Sequence, residues 1–248
     1  MRWRGLRRMA CDQRFAHRRR KSAPGDVTAD NPIVARPSLI QHVAENNPGK
    51  ARMKLTLVGS RYFGAAALER LLKEGIEIAR VIVPATDDRL AMAAKAAGLE
   101  VFVLDDSSIV PAEAIADGTD LIVAAHSHAR VTSDALARSR LGGIGFHPSL
   151  LPRHRGIAAV EWTIREGDPI AGGSIYHLAE RMDAGAIAAQ DWCFVRKGET
   201  ARELWERSLA PMGLDLLLRV IREARISGKL PATPQDEQFA TRAPMHRK

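Results

Sequence analysis

Cysteine is close to absent from this chain, with two in 248 residues, Cys11 and Cys193. They lie on opposite sides of residue 52, and the one thiol beyond it offers no disulfide framework and no cysteine-rich zinc site. Long apolar runs are missing as well: none reaches the roughly 18 residues that a membrane-spanning helix needs. The charged N-terminus is followed by no apolar h-region, which excludes a secretory signal. No internal repeat or coiled-coil heptad is present. These absences lead to the expectation of a cytoplasmic protein with no membrane partner and no metal.

The one compositional excess is basic, and it is confined. The formal net charge is +8 and the pI is near 10.0. Residues 1–52 hold 12 Lys and Arg against 4 Asp and Glu; of the 37 and 29 in the whole chain, 25 and 25 remain for the rest. A nucleic-acid reading of the high pI therefore has no electrostatic basis beyond residue 52. The tail is Arg-rich, lacks a sustained period and is broken by Pro24, Pro32, Pro37 and Pro48. Such a segment buries too little apolar surface to offset its ordering entropy, so 1–52 is expected to be a disordered basic extension. Arg18 to Lys21 can be read as a nucleic-acid or targeting patch. The alternative is an over-extended reading frame with Met53 as the true start. The second is favoured because a strand pattern begins immediately after Met53.

From there the chain alternates. Lys54 to Val58, Ile76 to Val83, Glu100 to Leu104 and Leu121 to Ala125 read as strands. Phe63 to Leu72, Arg89 to Ala97, a short piece over Pro111 to Ala116, and Ser133 to Arg138 with Ser133 as N-cap read as helices. Alternation of this kind predicts an α/β domain over 53–238, Rossmann-like, with a mostly parallel sheet and helices on both faces. Residues 239–248 are expected to form a C-terminal tail. The first turn, Gly59-Ser60-Arg61-Tyr62-Phe63-Gly64, lacks the middle glycine that lets a pyrophosphate approach, which excludes dinucleotide binding. His126 and His128 fall on one side of an extended chain, so a metal pair is conceivable, but no Cys or carboxylate at ligand spacing completes it.

The most informative stretch is Gly143 to Gly156, G-I-G-F-H-P-S-L-L-P-R-H-R-G. Ile144 and Phe146 alternate toward His147, and Pro148 ends the strand there. An ionisable His is thus placed at the mouth of a strand, where ligands of open α/β sheets sit. An isolated His at such a place is ordinarily satisfied by a backbone carbonyl. Downstream, Ala158 to Glu166 reads as a helix, Gly172 to Leu178 and Ile187 to Val195 as strands, and Thr200 to Leu209 and Met212 to Ile226 as two amphipathic helices. Leu214, Leu217, Leu218 and Ile221 form the buried stripe of the last one. Trp162, Trp192 and Trp205 read as packing residues. Glu180 to Gly185 is a polar loop, and Asp183 alone would be a solvated turn carboxylate.

The motif His147 to Gly156, with Asp183-Ala184-Gly185 at its separation, resembles the signatures of the folate-dependent formyltransferase family. That family includes glycinamide ribonucleotide and methionyl-tRNA formyltransferases. The motif resembles in particular the hydrolase domain of 10-formyltetrahydrofolate dehydrogenase. The resemblance covers about residues 53–238 and is weakest before residue 120. It implies the formyltransferase fold and 10-formyltetrahydrofolate as formyl donor, with His147 and Asp183 as catalytic residues. It also implies a folate pocket that takes in His128, Ala129, Val131, Ala179 and Glu180. The first turn would help hold the acceptor, and Arg61 is its one obvious anion ligand.

Attack on a formyl carbonyl passes through an oxyanion and needs a donor aimed at it and a base for the nucleophile's proton. The resemblance assigns oxyanion stabilisation to His147 and proton relay to Asp183. It also exposes a departure: transferases of the family carry an asparagine two residues before this His, and here Gly145 stands there. Losing one positioned oxyanion donor costs about a hundred- to a thousand-fold in rate. Another group must then substitute, with His128 or a water as candidates, or the protein is a slow member. The hydrolase domain also lacks the asparagine, which makes water a credible acceptor beside a small amine. Alternatives are a nucleotide-sugar or purine-precursor amine formyltransferase, a non-catalytic folate-binding or regulatory member, and an RNA-interaction protein working through the basic tail. A tRNA substrate is not expected, because few residues follow 238 and the charge of 53–248 is balanced.

Overall fold

The computed structural model describes residues 52–245. The expectations for the basic extension, the Arg18 to Lys21 patch and Cys11 lie outside the described residues. Seven strands form one sheet in the order β3-β2-β1-β5-β7-β8-β9. They are β1 (Lys54–Gly59), β2 (Glu77–Val83), β3 (Val101–Val103), β5 (Leu121–Ala125), β7 (Gly143–His147), β8 (Ile170–His177) and β9 (Ile187–Phe194). The first five run parallel, and β8 and β9 join antiparallel.

Period-2 alternation sorts the strand residues between two cores. Leu55 and Leu57 of β1 pack with α1 (Arg61–Lys73), α2 (Arg89–Ala96) and α6 (Ala210–Ser227), while Val58 faces the opposite cluster. On α6 the expected stripe Leu214, Leu217, Leu218 and Ile221 is buried. The opposite face is covered more thinly, by a 3-10 turn at Ala112–Ala114, by α3 (Ser133–Ala137) and by a two-stranded parallel pair, β4 (Ile109–Val110) with β6 (Arg130–Val131). That pair is too short to leave a periodic signature, and sequence reading passed over it. Among the described residues no helix is long and apolar enough to cross a membrane.

Three local details differ from expectation. Thr132, not Ser133, caps α3, its hydroxyl accepting the Ala135 N–H at 3.1 Å. The two C-terminal helices, which come after α4 (Ala159–Arg165), are one run, α5 (Ala201–Leu204) continuing through a π turn at Trp205–Leu209 into α6. Pro211, which has no N–H to give, falls just beyond that widened turn. Packing also does not stop at residue 238: Arg155 N–H donates to the Thr241 carbonyl, Ala243 N–H donates back to Arg155, and Ala243 is fully buried.

Candidate active site

The carboxyl ends of β5 and β7 open into a cavity of about 490 Å³, within the range typical of small-molecule sites. His126 and Ser127 follow β5 directly, and His147 is the last residue of β7. Behind them Phe63 stacks on Phe146 with centroids 5.3 Å apart, and Trp205 leans on both rings. Trp205 is therefore a packing residue that also forms cavity wall.

All seven residues singled out from the sequence reach this cavity: His147, Asp183, His128, Ala129, Val131, Ala179 and Glu180. Ala179 and Glu180 are exposed on the loop after β8, whereas Val131 is buried in the second apolar cluster. His147 and Asp183 are both about 6% exposed. His147 Nδ1 lies 3.5 Å from Asp183 Oδ2. Its Nε2 lies 2.8 Å from the His154 carbonyl oxygen. A carbonyl only accepts, so Nε2 carries the proton and Nδ1, in the neutral ring, carries the lone pair. Burial holds the His147 pKa below the usual histidine value, against the opposing pull of Asp183. The bland reading of a strand-end His satisfied by a carbonyl is thus half true. The other nitrogen is turned toward a buried acid.

Asp183 is not a solvated turn carboxylate. It adopts φ 54°, and its Oδ2 accepts the Gly156 N–H at 2.8 Å. Gln235 donates its amide to the carbonyls of Asp183 and Gly185 at 2.8 and 2.7 Å. Gln235 is held in turn by the buried Arg155 guanidinium, which also pairs with Glu237. Sequence reading missed this support because Gln235 and Glu237 lie in a segment without periodicity. It also missed Tyr176, which read only as a strand residue. Tyr176 pairs with Gly145 across β7 and β8, and burial together with the nearby Asp183 charge pushes its phenol pKa well above the usual value.

The first turn is closed by an internal contact. Both Asp88 carboxylate oxygens accept the Arg61 N–H at 3.0 Å, so an internal acid already occupies the amide that opens α1. His126 has φ 59°, which ends the extended path assumed for a His126/His128 metal pair. The two rings instead meet edge to face at 5.3 Å. Burial, His128 and Arg61 lower the His126 pKa to about 4. Among the described residues the one group with metal-ligand proximity is His154, Glu166 and Asp168, where Arg153 already contacts both carboxylates at 3.0 Å.

The formyl transferase family profile matches residues 59–221. The chain belongs to the formyl transferase family. It is 36% identical over 203 residues to mitochondrial 10-formyltetrahydrofolate dehydrogenase of Mus musculus, covering 77% of this chain and 22% of that protein. The chain thus spans about a fifth of the length of that relative. Among solved structures, glycinamide ribonucleotide transformylase 1 from Symbiobacterium toebii superposes with a TM-score of 0.63 at 23% identity, over 77% of this chain and 99% of that one. An N-formyltransferase from Helicobacter canadensis, in complex with folinic acid and dTDP-3-aminofucose, gives 0.64 at 17% identity, over 77% and 71%. These likenesses fix the formyltransferase fold, an α/β domain with a mostly parallel sheet.

Proposed function

We propose that this formyl transferase family member takes the formyl group of 10-formyltetrahydrofolate and passes it to water or to a small amine. The observation that carries the reading is the buried His147–Asp183 pair at the strand-end cavity, 3.5 Å apart. The cavity suits a folate: an apolar back wall of Phe63, Phe146 and Trp205 faces a loop wall that includes His128, Ala129, Val131, Ala179 and Glu180. The bound folate would supply the formyl carbon and the leaving nitrogen. His147 and Asp183 would supply proton transfer, because Nδ1 is a lone-pair acceptor beside a carboxylate and neither group is solvated. This moves His147 from the expected oxyanion donor toward a base, since donation from Nδ1 needs an imidazolium that burial opposes.

The Asp88 carboxylate on the Arg61 amide favours water or a non-phosphorylated amine over a phosphate-bearing acceptor. A second carboxylate-like or phosphate group there would meet like charge. The test is tetrahydrofolate release from 10-formyltetrahydrofolate by the full chain, first without and then with a panel of small amines. Release lowered by orders of magnitude in His147→Ala and in Asp183→Asn is the expected result. Tight folate binding with no release under any condition would replace this reading with a non-catalytic folate-binding protein.

A further inference from the structure

Attack on a formyl carbon places negative charge on the formyl oxygen, and the site needs a hydrogen-bond donor free to meet it. His147 does not offer one at rest: its Nε2–H is committed to the His154 carbonyl, and its unprotonated Nδ1 faces Asp183. Gly145, two residues earlier on the same face of β7, has no side chain to offer. Its cross-strand partner is Tyr176. A Cβ built on Gly145 would lie 3.3 and 3.4 Å from Cε1 and Cζ of that ring. The phenol therefore stands, beside Leu178 Cδ2 at 3.1 Å, in the space into which any side chain at 145 would project. Its ring meets the His147 ring edge-on with centroids 6.3 Å apart, it lines the same cavity as Asp183, and the Asp183 charge acts on its phenol.

We propose that Tyr176 is the oxyanion donor of this site, standing in for the donor that Gly145 removes. The proposal rests on the formyl-group chemistry proposed above. At rest the Asp183 charge draws the phenolic O–H toward the carboxylate. As water or an amine adds to the formyl carbon, its proton passes to the Asp183–His147 Nδ1 pair and the carbonyl π electrons move onto oxygen. A protonated Asp183 is a weaker acceptor than a carboxylate, so the phenolic hydrogen turns to the oxygen that has gained charge. When the bond from the formyl carbon to the folate nitrogen breaks, its electron pair leaves with nitrogen. The Asp183–His147 pair returns the proton to that nitrogen, and the carbonyl re-forms. Tyr176 keeps its proton throughout. Burial and the Asp183 charge raise its ionisation well above that of an ordinary phenol.

Tyr176→Phe, made in the full chain, keeps the ring against Gly145 and removes one oxygen. The expected result is a fall in kcat for tetrahydrofolate release of about a hundred- to a thousand-fold, with KM and the Kd for tetrahydrofolate unchanged. A second readout needs no turnover. The chain has two tyrosines, Tyr62 and Tyr176. In Tyr62→Phe the remaining phenol is expected to ionise at higher pH than a free phenol, followed by near-ultraviolet absorbance, and adding Asp183→Asn is expected to lower that transition. Unchanged kcat in Tyr176→Phe overturns the proposal, as does a phenol that titrates without regard to Asp183. Loss of tetrahydrofolate binding in Tyr176→Phe also overturns it, in favour of a structural role. A wild-type chain that releases no tetrahydrofolate with water or any amine overturns the parent reading; release by both wild type and Tyr176→Phe overturns this one alone.

Discussion

Asp183 Oδ2 accepts the backbone N–H of Gly156 at 2.8 Å, so the last residue of the 143–156 motif holds the acid of the second motif. Gly156 has φ 121°, a conformation closed to side-chain-bearing residues, and a Cβ there would lie 2.8 Å from the Ala243 carbonyl oxygen. The glycine is required twice over. It permits the turn that aims its N–H at Asp183, and it lets the C-terminal segment close against the motif.

Gly156→Ala is therefore expected to lower stability by at least about 2 kcal/mol, the cost of one strained residue plus a backbone contact that must shift. Urea denaturation measures it. Because the shift moves the N–H that fixes Asp183, tetrahydrofolate release should fall along with stability, and a variant with the wild-type midpoint would show the turn to be tolerant.

Asp183→Asn keeps the shape and an acceptor for Gly156 but removes the charge beside His147 Nδ1. Turnover is expected to drop by about a hundred- to ten-thousand-fold while tetrahydrofolate still binds. Steady-state kinetics paired with equilibrium binding separates the two effects.

The pH dependence of turnover follows from His147. Its pKa is held below 6.5 by burial, so the neutral ring that accepts at Nδ1 dominates at neutral pH. The rate is expected to be flat around pH 7 to 8 and to fall on the acid side of about 6.5. An acid limb centred above that value would contradict the neutral-ring assignment.

Stability has its own acid limb through His126, whose pKa drops from 6.5 unfolded to about 4 folded. Below 6.5 the unfolded chain binds the proton more readily, so this contribution is intact above 6.5 and is lost as pH falls toward 4. The loss is at most a little over about 3 kcal/mol, less for the part of the ring that solvent reaches. His126→Gln should flatten the urea midpoint between those pH values.

The C-terminal segment is expected to be part of the working domain. Thr241 Oγ1 accepts the His154 N–H at 2.8 Å, and the same residue's carbonyl takes the Arg155 N–H. Removing residues 240–248 should cost roughly 2–4 kcal/mol, the sum of a few such bonds, and should slow turnover by loosening the turn that carries His154. Calorimetry of the shortened and full chains checks it.

Much of this was legible in the sequence. The strands alternate or run apolar with Gly and Pro at their ends, so β1, β2, β5 and β7 could be placed by period alone. His147 stood out because Pro148 stops its strand. Asp183 was legible through its place in a second motif, not through any local signal, since a turn carboxylate by itself looks solvated. Tyr176 was not legible: β8 runs antiparallel to β7, and only that register sets a phenol opposite Gly145. Nor were Gln235 and Arg155, whose bond spans 80 residues of sequence.

The sequence alone determined the strand and helix periods, the strand end at His147, the missing side chain at 145 and the balanced charge of the chain beyond residue 52. These are local properties of side-chain type and spacing. The tertiary structure decided the rest, because proton chemistry depends on which atoms face each other once solvent is excluded. It put the His147 proton on Nε2, turned Nδ1 to a buried Asp183, filled the amide of Arg61 with Asp88, and stood Tyr176 in the space left by Gly145.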